Sequence, residues 1–151
     1  MSALDTEAGL LTPERKQVLI ASAVLVFISL GVLIPRLGLI FGWVVTITGG
    51  IAGGITIGAL RRRGGLDGFA YGAYVGVIGG LASSILGAVL GTLINIATYI
   101  SASPNSLTPS NYTIGAYIIW AIIGVISGMV FKVVGATVAG GLVGALLDET
   151  D

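Results

Sequence analysis

The chain has 151 residues, of which 55% are hydrophobic and only 9% are charged, whereas water-soluble domains carry about 25% charged residues. Seven basic and seven acidic side chains cancel, which argues against a nucleic-acid partner, because such proteins show a basic stripe. With no cysteine and no histidine, the usual zinc ligands and histidine-based catalytic triads are missing. We therefore expect an integral membrane protein that is not an enzyme and that binds no cofactor or metal.

Residues 17–34 form the first apolar run. This run has about 18 uncharged residues, close to the lower limit of about 17 for crossing a hydrocarbon core of about 30 Å. Thr12, Pro13 and Glu14 precede it and are typical of a helix start, with a capping hydroxyl, a proline in the first turn and an acid at the positive end of the helix dipole. The acidic leader, residues 1–16, and the length of the run favour a retained span over a cleaved signal peptide.

Three further apolar runs predict three more crossings. They comprise residues 37–60, 69–100 and 114–147. Polar segments separate them at 61–68 and 101–113, and an acidic tail follows at 148–151. The predicted fold is therefore all-α, an integral membrane bundle of four transmembrane helices over residues 17–147. The third and fourth runs would reach about 48 and 51 Å as helices, so we expect them to protrude, kink or lie partly flat.

Glycines recur at every fourth residue within the apolar runs. On a helix, residues four apart lie on one face, so such a series forms a flat strip against which a second backbone can pack. In a water-soluble helix each of these glycines would cost roughly 1 kcal/mol relative to alanine. The sequence thus predicts helix-packing faces of the glycine-zipper type at Gly50, Gly54, Gly58, Gly72, Gly76, Gly80, Gly124 and Gly128. It also predicts that the third and fourth helices form the closest pair.

The basic residues predict the orientation, because cytoplasmic loops are enriched in lysine and arginine. One side of the predicted bundle carries Arg15, Lys16, Arg61, Arg62 and Arg63. The other side carries Arg36 alone, so both termini of this multi-pass plasma-membrane protein are predicted to face the cytoplasm. The 101–113 loop then lies outside, where Asn111, Tyr112 and Thr113 form a candidate glycosylation sequon.

Lys132 is the one ionisable residue inside an apolar run, which makes it a candidate functional residue. Two roles stay open: its ammonium group can snorkel to the membrane surface, or it can line an ion path or pair inside the bundle. Small and polar residues also share one stripe, about 80° wide, on the third helix. They are Gly80, Ser84, Gly87, Gly91, Asn95 and Thr98. Ser84 and Asn95 are candidate pore-lining residues together with Lys132, unless they bond to a neighbouring helix.

The block from Gly49 through Gly87 carries three motifs. They are Gly-Gly-Ile-Ala-Gly-Gly, the turn Gly-Gly-Leu-Asp-Gly, and Tyr-Gly-Ala-Tyr-Val-Gly-Val-Ile-Gly-Gly-Leu. Together with the glycine-rich segment at 140–147, the block resembles a family of small four-span archaeal membrane proteins, haloarchaeal-like and classed as a domain of unknown function. The resemblance implies an archaeal plasma-membrane protein with four helices, and it implies no activity and no catalytic residues.

These observations lead to two hypotheses about function. The first is a self-associating or scaffolding helical bundle, whose partners are the lipid bilayer and further copies of itself or other membrane proteins. The alternative is a channel or a subunit of a small-solute transporter, which the candidate polar residues Ser84, Asn95 and Lys132 motivate.

Overall fold

The computed structural model describes residues 12–33, 35–61, 64–102 and 111–148, and this part of the chain is all-helical. The four helices are α1 (Pro13–Ser29), α2 (Pro35–Arg61), α3 (Gly65–Ala102) and α4 (Asn111–Asp148). A 3₁₀ turn, Leu30–Leu33, prolongs α1. The predicted all-α class is therefore confirmed for the described residues.

Helix α1 starts where its sequence predicts. The Thr12 side chain accepts a hydrogen bond from the backbone N–H of Arg15 at 3.4 Å, and Pro13 occupies the first turn, where its missing N–H has no helical partner in any case. Residues Ala21, Ser22, Leu25 and Ser29 form the buried face of α1. The opposite face is apolar and exposed, with Phe27 at 81% exposure.

Three of the helices are long and apolar enough to cross a membrane: Gly42–Arg61, Gly65–Ala97 and Ile118–Asp148. The described residues therefore support three crossings rather than the four predicted. Helix α1 has only 17 residues, and Glu14, Arg15 and Lys16 occupy its first turn. Its apolar α-helical part is then about 13 residues, or about 20 Å, shorter than a hydrocarbon core of about 30 Å.

Helices α3 and α4 each contain 38 residues and are assigned as α-helix without interruption. At 1.5 Å per residue each is about 57 Å long, well beyond the thickness of a hydrocarbon core. Both extend into the predicted 101–113 loop, since α3 ends at Ala102 and α4 begins at Asn111. The rest of that loop, residues 103–110, lies outside the described part.

The core of the bundle is small and takes residues from every helix. Ala21 and Leu25 of α1, Ile57 of α2, Val75 of α3 and Ala136 of α4 are each fully buried in it. Most large apolar side chains instead lie on the outside of the bundle. Such a surface suits a protein whose surrounding solvent is lipid, because hydrocarbon chains are as apolar as those side chains.

Candidate functional site

The glycine face of α2 lies directly against the backbone of α4. The contacts run in parallel along the two helices: Gly50 with Lys132, Gly54 with Ala136 and Gly58 with Gly140. A Cβ added at Gly50 would stand 2.7 Å from the Lys132 carbonyl oxygen, closer than real Cβ atoms approach. Alanine at these positions would therefore force the two backbones apart.

The glycine face of α3 lies against the same row of α4 residues that α2 contacts, and α3 and α4 are antiparallel. The contacts are Gly68 with Gly140, Gly72 with Ala136, Gly76 with Val133 and Gly80 with Lys132. A Cβ at Gly76 would lie 2.6 Å from the Val133 Cα, whereas one at Gly80 would make an ordinary 3.4 Å contact with the Lys132 Cβ. Helices α3 and α4 make the most extensive contact in the bundle, which confirms the predicted closest pair.

The close approach of α3 and α4 ends one turn beyond Lys132. A Cβ at Gly128 would lie 3.4 Å from the Ser84 Oγ, an ordinary contact. At Gly124, and at Gly87 and Gly91 on α3, no neighbouring atom of the described residues lies within 4 Å of the Cβ position. Unlike at the other seven predicted packing glycines, a Cβ at Gly124 would therefore meet no other helix of the described residues.

Lys132 lies inside the bundle with only 5% of its surface exposed. Its Nζ donates a hydrogen bond to the Ser84 Oγ across the α3–α4 contact, with 3.2 Å between the two atoms. A snorkelling side chain would carry its ammonium group to the membrane surface, so the structure shows the internal pairing arrangement instead. Asn95 does not join this pair: it is exposed on α3, and eleven residues of helix, about 16 Å, separate it from Ser84.

An open cleft of about 260 Å³ lies between α2 and α4, within one turn of Lys132 along α4. Helix α2 lines it with Gly42, Trp43 and Thr46, and α4 lines it with Gly124, Ser127, Gly128 and Phe131. The rings of Trp43 and Phe131 flank the cleft with their centroids 5.4 Å apart. Gly128 is common to the cleft and to the contact with Ser84, so the cleft borders the Lys132–Ser84 pair.

A second polar cluster, centred on Arg61, joins α1, α2 and α3 at the opposite end of the bundle. The Arg61 Nη2 lies 3.4 Å from a carboxylate oxygen of Glu14 and 3.6 Å from one of Asp67. The guanidinium group also stacks 3.4 Å above the ring centre of Tyr71, whose hydroxyl donates to Glu14 at 3.3 Å. The Arg61 side chain is only 6% exposed, so it links helices in addition to its predicted topological role.

The sequence alone did not predict the Arg61 cluster. The available signal was that Glu14, Arg61 and Asp67 all lie at ends of apolar runs, which one end of an antiparallel bundle brings together. The other two topology residues, Arg62 and Arg63, lie outside the described residues. Asn111 is the first residue of α4 rather than part of a loop, and its side chain lies outside the described part.

Comparisons with family models, curated proteins and solved structures find no match to this chain. The resemblance to a four-span archaeal family therefore stays a prediction.

Proposed function

We propose that this chain is an integral membrane protein that self-associates, and that it acts as a helical scaffold in the membrane. The observation that carries the proposal is the uncovered pair Gly87 and Gly91 on α3, with exposed Asn95 one turn further along the same face. In lipid, glycines four residues apart stabilise a fold when a second backbone packs on them. No helix of the same chain does so here within the described residues.

A second copy of the chain fits this face better than an unrelated partner. A face used by both members of a two-fold dimer must be complementary to itself. Two flat glycine strips meet that condition, and two Asn95 amides can bond to each other because each has both donors and acceptors. An exposed amide facing lipid alone would lack any such partner.

Analytical ultracentrifugation in density-matched detergent micelles tests the proposed self-association. The double variant Gly87→Leu/Gly91→Leu should raise the dimer dissociation constant at least about tenfold, equivalent to about 1.4 kcal/mol. Ala82→Leu is the matched control, because Ala82 is exposed on a different face of α3 and also gains a leucine. A wild-type chain that sediments as a monomer at every concentration would refute the proposal, as would a dimer that the double variant leaves unchanged.

We also propose that α1 and its 3₁₀ extension form a fourth crossing, with both termini in the cytoplasm of a plasma-membrane protein. The α-helical residues after Lys16 and the 3₁₀ turn together reach about 28 Å, close to a hydrocarbon core. Exposed Leu19, Ile20 and Phe27 supply an apolar outer face for lipid.

Single-cysteine labelling tests this topology directly, because the native chain has no cysteine. Ser2→Cys and Leu66→Cys should react with an impermeant reagent only after permeabilisation, and Asn105→Cys should react in intact cells. If α1 does not cross, Ser2→Cys reacts from outside, on the same side as Asn105→Cys.

The second candidate function is a channel or a subunit of a small-solute transporter. It is favoured by the buried Lys132–Ser84 pair beside an open cleft, since ionisable residues inside membrane bundles commonly mark solute or ion paths. Flux from liposomes containing the purified protein tests it. Leakage that Lys132→Leu abolishes supports transport, and vesicles that remain tight with the wild-type protein exclude it.

A further inference from the structure

Among the described residues, the buried ammonium group of Lys132 has no carboxylate near it. The acids among the described residues are Glu14, Asp67 and Asp148, and Glu14 and Asp67 belong to the Arg61 cluster. Asp148 is sixteen residues along α4 from Lys132, about 24 Å, and Asp67 is about as far along α3 from Ser84. A charge removed from solvent is strongly destabilising unless an opposite charge compensates it. The described side chains supply none.

The pair also leaves hydrogen-bond donors unused. An ammonium group has three N–H donors, and among the described residues Lys132 gives one of them to a neutral hydroxyl, that of Ser84. Because that hydroxyl accepts from Lys132, its own proton stays available to donate. The pair thus offers up to three donors and a positive charge but no negative charge, which is the composition of an anion site.

The surroundings of the pair leave little space and still provide an approach. Gly128 has no side chain, and a Cβ there would lie 3.4 Å from the Ser84 Oγ and 3.9 Å from the Lys132 Nζ. The missing side chain leaves space beside both donors at the border with the cleft. On α3, Gly80 likewise places only hydrogen beside the Lys132 side chain. These contacts suit an ion of one or a few atoms rather than a large organic molecule.

We propose that Lys132 and Ser84 bind a small inorganic anion of halide size, which enters through the cleft between α2 and α4. The bound anion neutralises the lysine and accepts hydrogen bonds from the Nζ and from the Ser84 hydroxyl. The site lies within one chain, so it does not depend on the proposed self-association. The proposal concerns binding and not transport, because an anion that stays bound would only stabilise the fold.

Chloride is the probe, and the full-length protein in detergent micelles is the sample. Thermal unfolding is measured while chloride replaces gluconate, which is too large for the site, at constant ionic strength. Over a roughly hundredfold rise in chloride, the wild-type melting temperature should increase by about 5 °C, because a ligand that binds only the folded state stabilises it. Broadening of the chloride-35 NMR line by the protein measures binding directly.

Two variants and a matched control locate the site. Lys132→Met should abolish both the chloride-dependent stabilisation and the line broadening, and Ser84→Ala should weaken chloride binding roughly fivefold through the loss of one hydrogen bond. Lys16→Met, which removes an exposed lysine from α1, should leave both signals unchanged. If Lys132→Met does not fold, Ser84→Ala still tests the site, because alanine removes only a hydroxyl.

The variant that breaks the proposed dimer, Gly87→Leu/Gly91→Leu, separates the two proposals. It should bind chloride as the wild type does even where it sediments as a monomer. The anion site is refuted if chloride and gluconate give equal wild-type stability with no line broadening. It is also refuted if Ser84→Ala and a folded Lys132→Met bind chloride like the wild type.

Discussion

Replacing Gly76 by alanine tests whether close backbone contact between α3 and α4 stabilises the bundle. The added Cβ would lie 2.6 Å from the Val133 Cα, while ordinary contacts begin at 3.4 Å. Because the obstacle is backbone rather than a flexible side chain, the two helices must separate locally by about 0.8 Å. Gly124→Ala is the matched control, because it adds the same methyl group to a helix where no neighbouring atom of the described residues lies within 4 Å.

The size of the effect follows from the dispersion energy lost on separation. A gap of about 0.5–1 Å forfeits a quarter to a half of the roughly 0.1–0.2 kcal/mol that each atom pair contributes. Over on the order of 40 atom pairs around the contact, this loss is about 2 kcal/mol, within the range of about 1–3 kcal/mol typical of overpacked sites. Both substitutions gain up to about 1 kcal/mol of helix propensity, so this gain cancels in the comparison.

We therefore expect Gly76→Ala to be about 2 kcal/mol less stable than Gly124→Ala, and Gly124→Ala to be as stable as the wild type or slightly more so. Unfolding by titration with sodium dodecyl sulfate, followed by tryptophan fluorescence in dilute micelles, measures both free energies. Equal stability of the two variants would refute the reasoning. It would mean that the α3 and α4 backbones do not approach as closely as the described contacts require.

Three further substitutions are expected to change the free energy of unfolding by different amounts in the same assay. Arg61→Met should lose about 1–3 kcal/mol, mostly through the buried stack on Tyr71, since ion pairs to half-exposed carboxylates contribute at most about 1 kcal/mol. A loss no larger than that of the exposed control Arg15→Met would contradict this. Tyr71→Phe should lower the free energy of unfolding by less than about 1 kcal/mol, because it removes the hydroxyl bonded to Glu14 but keeps the ring. A loss equal to that of Arg61→Met would show that the hydroxyl contributes more than the stack. Ser29→Ala should leave stability unchanged or raise it by up to about 1 kcal/mol, because the buried Ser29 hydroxyl has no hydrogen-bond partner among the described residues; a clear loss would reveal one.

The helix class and the closest helix pair could be predicted from the sequence, because apolar length and glycine spacing are local signals. The start of α3 was harder to predict. The glycines after the arginines indicate a loop, and the sequence places the helix start at Phe69, yet α3 begins at Gly65. Among the described residues of this turn, Gly64 has a left-handed backbone, with φ +88°. Gly68 is helical because its missing side chain lets α3 contact Gly140 of α4, and this packing outweighs its low helix propensity.

The burial of the Lys132 side chain could not be predicted from the sequence of α4 alone. The ammonium group of a lysine at the depth of Lys132 reaches the membrane surface if its face of α4 points outward. It becomes buried if α3 covers that face. The register between α3 and α4 determines which of the two occurs. One retrospective signal exists in the small residues around it: Gly128 precedes Lys132 by one turn, and Gly80 and Ser84 are one turn apart on the facing helix. Gly124 shows the limit of spacing arguments, because it continues the series from Gly128 but lies beyond the point where α3 and α4 are in close contact.

The contacts divide the bundle into two halves with different roles, and Lys132 lies at the boundary between them. From the Arg61 cluster up to Gly76, glycines of α2 and α3 hold α4 by direct backbone contact, and polar groups join α1 to its neighbours. From Ser84 toward Gly91 on α3, and from Gly128 toward Gly124 on α4, no other described helix covers the glycine faces, and the cleft is open. The proposed anion site thus lies at the level where close packing of the helices ends and space beside Lys132 begins. We therefore expect the closed half to contribute most of the stability, whereas the open half carries the surfaces of the proposed self-association and the proposed anion site.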